Sequence, residues 1–323
     1  MMAPTHSLAP TDALDRSQII GASDVAGILG LDPYATRFKV YARKLGLIDR
    51  EDSDDLAWGR RMEGPILDWY EDTTGKKVVR LFQTPQRHPS IPWATATPDG
   101  AVREEALNLE AKNVNAWQMK EWGEEETDQV PDHFLVQTTW QMAVTGYKHT
   151  DLAALFGGSR PKVYRIHYDQ EFSDLLFTEA EKFYREHLVP QNPPPIDASD
   201  AAAKYLKKKF PRDVTELRPA TAEEIEKARR YFGVVAQLDA VTEDADTVKN
   251  ELKLAIGDAA GIAGDDFKIT YKASKGSEKT DWESVARGLK SKVTEEEWAI
   301  VLGLATRTTL GSRRFLARMR EQK

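Results

Sequence analysis

A chain of 323 residues can hold one large domain and a smaller appendage, and its 41% apolar and 30% charged residues are those of a globular rather than a disordered or fibrous protein. It contains no cysteine, which excludes disulfides, thiolate zinc sites and iron–sulfur clusters and leaves oxygen and imidazole as metal ligands. A formal net charge of −7 argues against an all-over basic coat for nucleic acid, while permitting a local basic channel or carboxylates gathered round a divalent cation.

No apolar run reaches membrane-spanning length, and residues 1–18 are polar and proline-containing rather than a secretion signal, so a cytoplasmic protein with no membrane partner is expected. Ser23-Asp24 ahead of Val25-Ala26-Gly27-Ile28-Leu29 predicts a short helix with Ser23 as N-cap and Gly30 as stop. A longer helix is predicted over about 59–74, ended by Gly75, with Glu63 near its start. Segments 78–81, 95–102 and 107–114 read as strands, 132–145 as a helix stopped by Gly146, and 151–156 and 163–168 as further strands. This order predicts an α/β core, a mixed sheet flanked by helices.

Pro190-Gln191-Asn192-Pro193-Pro194-Pro195 propagates neither helix nor strand, so a first domain is assigned to 1–197 and an extension to 198–323. Within the extension, 198–209 reads as a basic helix, with Lys204, Lys207, Lys208, Lys209 and Arg212 as its densest cationic cluster. Residues 221–258 carry long helical periodicity with alternating charges, 267–272 alternates like a half-exposed strand, and 281–289 and 295–304 look helical.

The chemistry concentrates at Pro98-Asp99 and Glu110-Ala111-Lys112, with ten residues between Asp99 and Glu110. If the two segments pair as a hairpin turning at Glu104-Glu105, Asp99 falls opposite Glu110, where facing side chains start about 5 Å apart. Strand alternation then puts Glu110 and Lys112 on one face while Leu109 and Ala111 turn to the core. Two carboxylates so close repel, and Mg²⁺ is the simplest remedy, because it favours one or two carboxylates plus waters and substrate phosphate. Lys112 supplies an ammonium to position or deprotonate the nucleophile and offset charge on a phosphorane-like transition state. Glu63 adds a carboxylate from the neighbouring helix. Each piece alone has a plainer reading: an exposed strand face for Glu110 and Lys112, the helix dipole for Glu63.

Together with Ile20-Gly21-Ala22-Ser23-Asp24, Leu29-Gly30, Trp58-Gly59-Arg60-Arg61-Met62-Glu63, Ala96-Thr97-Pro98-Asp99-Gly100, Leu109-Glu110-Ala111-Lys112-Asn113, and Gln137 with Gln141 before Thr145-Gly146, the chain resembles the YqaJ-type viral recombinase family over roughly 16–195. These are lambda-exonuclease-like nucleases with a PD-(D/E)XK, restriction-endonuclease-like core. The resemblance implies that Asp99, Glu110, the Ala111 carbonyl and Glu63 hold Mg²⁺, with Mn²⁺ as a substitute, and that Lys112 is the catalytic lysine. It implies that Arg16 and Ser23 form a pocket for a 5′-terminal phosphate, which suits a helix N-terminus beside a guanidinium. Gln137 and Gln141, four apart on one helical face, would hold phosphate oxygens or a metal-bound water. Trp140 and Phe134 are expected to point into the core, and His133 and His149 to be structural.

The activity implied is 5′-to-3′ digestion of linear duplex DNA, leaving 3′ overhangs for a single-strand annealing partner, by a homo-oligomer that the family builds as a trimer. Two other readings use the same residues: a structure- or site-specific endonuclease, and a noncatalytic DNA-binding or assembly protein, which the intact set Glu63, Asp99, Glu110 and Lys112 disfavours.

Overall fold

The computed structural model describes residues 16–49, 53–82, 84–214, 216–274, 276 and 279–307, the side chain of Arg16 excepted. The chain falls into two compact units, Met1–Pro211 and Arg212–Lys323. In the first, a 3-10 turn (Arg16–Gln18) leads into β1 (Ile20–Gly21), α1 (Ala22–Leu29), α2 (Arg37–Lys44) and α3 (Asp54–Thr74). Then come β2 (Val79–Arg80), β3 (Gln86–Arg87), β4 (Ala94–Ala96), β5 (Gly100–Val102), β6 (Leu107–Val114), α4 (Asp132–Thr145), β7 (His149–Phe156), β8 (Arg160–His167), α5 (Gln170–Phe183) and α6 (Asp200–Lys209).

The main sheet has the order β2-β5-β6-β7-β8, with β6 and β7 parallel and its other neighbours antiparallel. Strand alternation sorts its side chains between two helices. Leu107, Leu109 and Ala111 of β6 join Ile66, Leu67 and Tyr70 of α3 in one cluster. On the opposite face Leu152, Ala154 and Phe156 of β7 pack with Met142 of α4, and Asn108 and Glu110 of β6 accompany them, receiving or donating hydrogen bonds to Gln141 and Thr145. This is the mixed sheet flanked by helices expected from the element order.

A smaller sheet, β1-β4-β3, lies beside α4. The fully buried Trp140 of α4 donates its indole N–H to the Thr95 carbonyl at 3.0 Å and stacks on Phe177 of α5 at 4.2 Å. Burying an aromatic of this size contributes roughly 3 kcal/mol, and it fixes α4 against the smaller sheet and α5.

Three details depart from the sequence reading. The segment 95–102 is two strands in different sheets rather than one, because Pro98 has no N–H to offer a ladder and Thr97-Pro98-Asp99 crosses between them. Ser23 is not the N-cap of α1. Gly21 takes that position, Asp24 Oδ2 accepts the Gly21 N–H at 2.9 Å, and Ser23 sits exposed in the first turn. Finally, the first unit runs past residue 197 to Pro211, because Ala202 of α6 buries against Phe38 and Ala42 of α2, small against large.

The second unit contains α7 (Ala222–Ile256), a hairpin of β9 (Gly261–Ala263) and β10 (Lys268–Thr270), α8 (Trp282–Lys290) and α9 (Glu295–Ala305). Thr221 and Glu224 form a reciprocal capping box at the start of α7.

Candidate active site

The ladder of β5 on β6 begins with Gly100 opposite Leu109, one residue after Asp99, and one further step of the same register would set Asp99 against Glu110. Glycine suits position 100, since a Cβ there would lie 2.9 Å from Val78 Cγ1 and 3.3 Å from Leu67 Cδ1 and would force these neighbours to shift. The chain can therefore pass close over α3 and still deliver Asp99 to the strand edge. Asp99 Oδ2 accepts the Ala111 N–H at 2.8 Å. In a strand a residue's N–H and C=O leave on the same side, so the Ala111 carbonyl projects from the edge where Asp99 sits.

Glu110 is buried and fully engaged. Its Oε1 accepts from Lys112 Nζ at 2.6 Å and from Gln137 Nε2 at 2.5 Å, and its Oε2 from Gln141 Nε2 at 2.7 Å. Gln137 and Gln141 thus meet Glu110, as their shared helical face allows, and do not point to solvent; Gln141 has no exposed surface. Lys112 is half-buried with its ammonium 5.4 Å from the centre of the Phe134 ring. That contact was not anticipated, although Phe134 stands three residues before Gln137 on α4 and so shares its face.

The charges explain the titration of the cluster. Burial, and then the neighbouring Glu110 charge, push Asp99 up to about 8, against the pull of Lys112 and the Ala111 N–H. Burial, and then Glu110, raise Glu63 on α3 as well. Burial draws Lys112 down, but Glu110 and Asp99 more than offset it and hold the ammonium above its ordinary value. Three carboxylates thus crowd Lys112, with Arg60 acting on Glu63 as well, and their mutual repulsion in a poorly hydrated place keeps them from all ionising easily.

No group of three or more histidine, aspartate or glutamate side chains among the described residues is arranged to hold a metal by itself. Glu63 lies within electrostatic reach of Glu110 and Lys112 without completing such a cage. The donors at the strand edge are two carboxylates and a backbone carbonyl, all hard oxygen, which suits Mg²⁺ or Mn²⁺ retaining several waters. Ser23 lies on the first turn of α1 and Arg16 in the 3-10 turn before β1. His149 and His167 face each other across β7 and β8, Nδ1 to Nδ1 at 3.0 Å, and His133 packs on Phe134.

A YqaJ protein from Bacillus subtilis (strain 168) is 30% identical over 253 residues, which cover 76% of this chain and 77% of the relative. The chain belongs to the YqaJ-like viral recombinase family. The family's domain matches residues 13–148, a span that includes Glu63, Asp99, Glu110, Lys112, Gln137 and Gln141. Among solved structures, the chain is similar to an alkaline exonuclease from Laribacter hongkongensis (22% identity, TM-score 0.45, 60% of this chain and 94% of that one). It is also similar to a phage related exonuclease from Haemophilus somnus 129PT (13% identity, TM-score 0.40, 54% and 96%).

Within this YqaJ-like domain, Gln141 offers a test of how the site is supported. Gln141→Leu keeps the volume but removes the donor from Glu110 Oε2, while also removing the Gln141 Oε1 atom that has no partner among the described residues. Stability is expected to fall by about 1–3 kcal/mol, because the buried Glu110 Oε2 loses its donor even as a poorly satisfied amide gives way to an apolar group. Turnover is expected to fall about 10- to 100-fold, the usual cost of losing a group that orients a site carboxylate. Parallel thermal melts and turnover assays measure both, and equal loss of stability and activity would assign Gln141 to packing alone.

Proposed function

We propose that this chain is a Mg²⁺-dependent exonuclease that degrades linear duplex DNA from 5′ to 3′ and leaves 3′ overhangs for annealing-type recombination. The observation that carries the reading is the strand edge itself: Asp99 and the Ala111 backbone on one side, Glu110 and Lys112 beside them, with more carboxylate than the single ammonium balances. Membership of a viral recombinase family supports a role in processing DNA for recombination. Among the described residues no helix is long and apolar enough to cross a membrane.

Asp99, Glu110 and the Ala111 carbonyl would hold the metal, with Glu63 contributing from α3. When bound, the metal supplies Lewis-acid polarisation of the phosphodiester and a more acidic water. Glu110, pinned by Gln137 and Gln141, keeps its geometry without reorganising. Lys112 presents an ammonium to the phosphate oxygens, where it counters negative charge that grows toward the transition state. Arg16 and Ser23 would take the 5′-terminal phosphate. The family further suggests a ring-shaped homotrimer, a single-strand annealing partner and a bacterial cytoplasm as the working place.

The deciding experiment uses end-labelled linear duplex and covalently closed circular DNA in Mg²⁺ and in chelator. Mononucleotide release from the linear substrate alone, in Mg²⁺ alone, is expected. Linearised or nicked circles would instead identify an endonuclease, and no hydrolysis of either substrate would leave only DNA binding. On linear duplex, Arg16→Ala is expected to reduce the preference for phosphorylated over hydroxyl 5′ ends by about 10- to 100-fold, the worth of a charge-assisted contact. Equal slowing on both ends would remove Arg16 from phosphate recognition.

A further inference from the structure

Helix α7 is 35 residues long, yet Ile256 at its end is its one buried residue. Some of its larger apolar residues, Ile225, Phe232, Val235 and Leu254, lie apart, but the others form one series. Tyr231, Val234, Leu238, Val241, Ala245 and Val248 follow at alternating steps of three and four, and Leu252 continues the series. That spacing is the a/d seam of a heptad repeat held over three heptads, a pattern that calls for a helical partner. Val234, Leu238, Val241 and Val248 are each more than half exposed. The neighbouring hairpin borders the second half of the seam, where Ile269 and Tyr271 line one pocket with Val241, Ala245 and Val248, and it closes the seam beyond Val248, with Lys253 over the Tyr271 ring at 5.8 Å and Ile256 buried.

We propose that a second copy of this chain occupies the seam, with its α7 running antiparallel to the first. The flanking charges favour this occupant. Arg230 borders the seam at its amino-terminal end, Asp244 and Glu251 toward the other, and the intervening Lys249 is already paired with Asp246 on its own helix. Reversal about the point between Asp239 and Ala240 sets Tyr231 against Val248 of the second copy, Val234 against Ala245 and Leu238 against Val241. The same reversal brings Arg230 beside Glu251 of the second copy. This self-complementarity is what a two-fold interface requires. In a parallel pair Arg230 would instead meet Val235 and both hairpins would crowd one end.

The inference is independent of the nuclease reading, and its test is the mass of the full-length chain in solution, measured by light scattering. Leu238→Asp combined with Val241→Asp is expected to reduce the mass of the assembly to about half, with helical circular dichroism retained. Arg230→Glu, a change on an exposed flank that does not threaten the fold, is expected to weaken association, and adding Glu251→Arg to restore it. A mass that the seam substitutions leave unchanged overturns the proposal, and that is also the result if another segment of this chain or a different protein covers the seam. Loss of mass with the seam variant but no rescue by the charge swap overturns the antiparallel pairing.

Discussion

Lys112→Ala is expected to slow DNA hydrolysis about a thousandfold, roughly 4 kcal/mol of transition-state stabilisation, with fold and DNA affinity nearly intact. The selectivity follows from how the lysine is held. Its side chain is partly exposed, so truncation opens no sealed cavity. Glu110, which loses a 2.6 Å partner, keeps both glutamine donors and is not left as an unpaired buried charge. In the proposed mechanism what disappears is the ammonium that meets charge only as it develops, and such interactions lower turnover rather than binding. Steady-state turnover on linear duplex, with affinity from fluorescence anisotropy, separates the two. Turnover within tenfold of the unsubstituted enzyme would exclude Lys112 from the chemistry. Glu110→Gln is the companion: it removes a donor oxygen and sets an amide against two glutamine amides, so it should lose Mg²⁺ dependence as well as rate.

How much of this arrangement could be read from the chain depended on sequence distance. Asp99 opposite Glu110 follows from strand periodicity and a symmetric hairpin, and the register of β5 on β6 agrees. The turn itself is a 3-10 segment (Arg103–Glu105) closed by Ala106 in a left-handed conformation, which no glycine or asparagine announces. The shared face of Gln137 and Gln141 was legible from their four-residue spacing, but their target was not, since α4 meets β6 only through the tertiary fold. At α1 the error was local. Serine is the commoner cap, but the N-cap here is Gly21, which has no side chain to accept the first N–H groups, and Asp24 three residues on instead accepts the Gly21 N–H. The helices α2 and α5 went unread altogether, and the proline run that marked a boundary does not prevent α6 from returning to α2.

That same Asp24 governs the largest expected stability effect outside the chemistry. It is buried at the start of α1, where Oδ1 meets Arg43 at 2.5 Å and Oδ2 meets Lys44 at 2.5 Å, and Oδ2 also accepts the Gly21 N–H. Burial alone would raise its proton affinity, but the two cations and the backbone donor outweigh burial and hold the carboxyl below its ordinary 3.8. A folded-state value lower than the unfolded one means that ionised Asp24 stabilises the protein above the unfolded value, and that this contribution fades as pH falls below about 4. Asp24→Asn preserves the shape but leaves Lys44, nearly buried, without its counter-charge. The expected cost is about 3 kcal/mol in urea unfolding at neutral pH, the usual penalty for breaking one side of a buried pair. The difference between variant and parent should shrink on acidification, because protonation deprives the parent of the same charge. A constant difference from pH 7 down to pH 3 would show that packing at α1, and not the ion pairs, sets the effect. Since Asp24 directly follows Ser23 in the first turn of α1, a variant with normal stability but impaired discrimination of phosphorylated ends would instead place Asp24 in substrate binding.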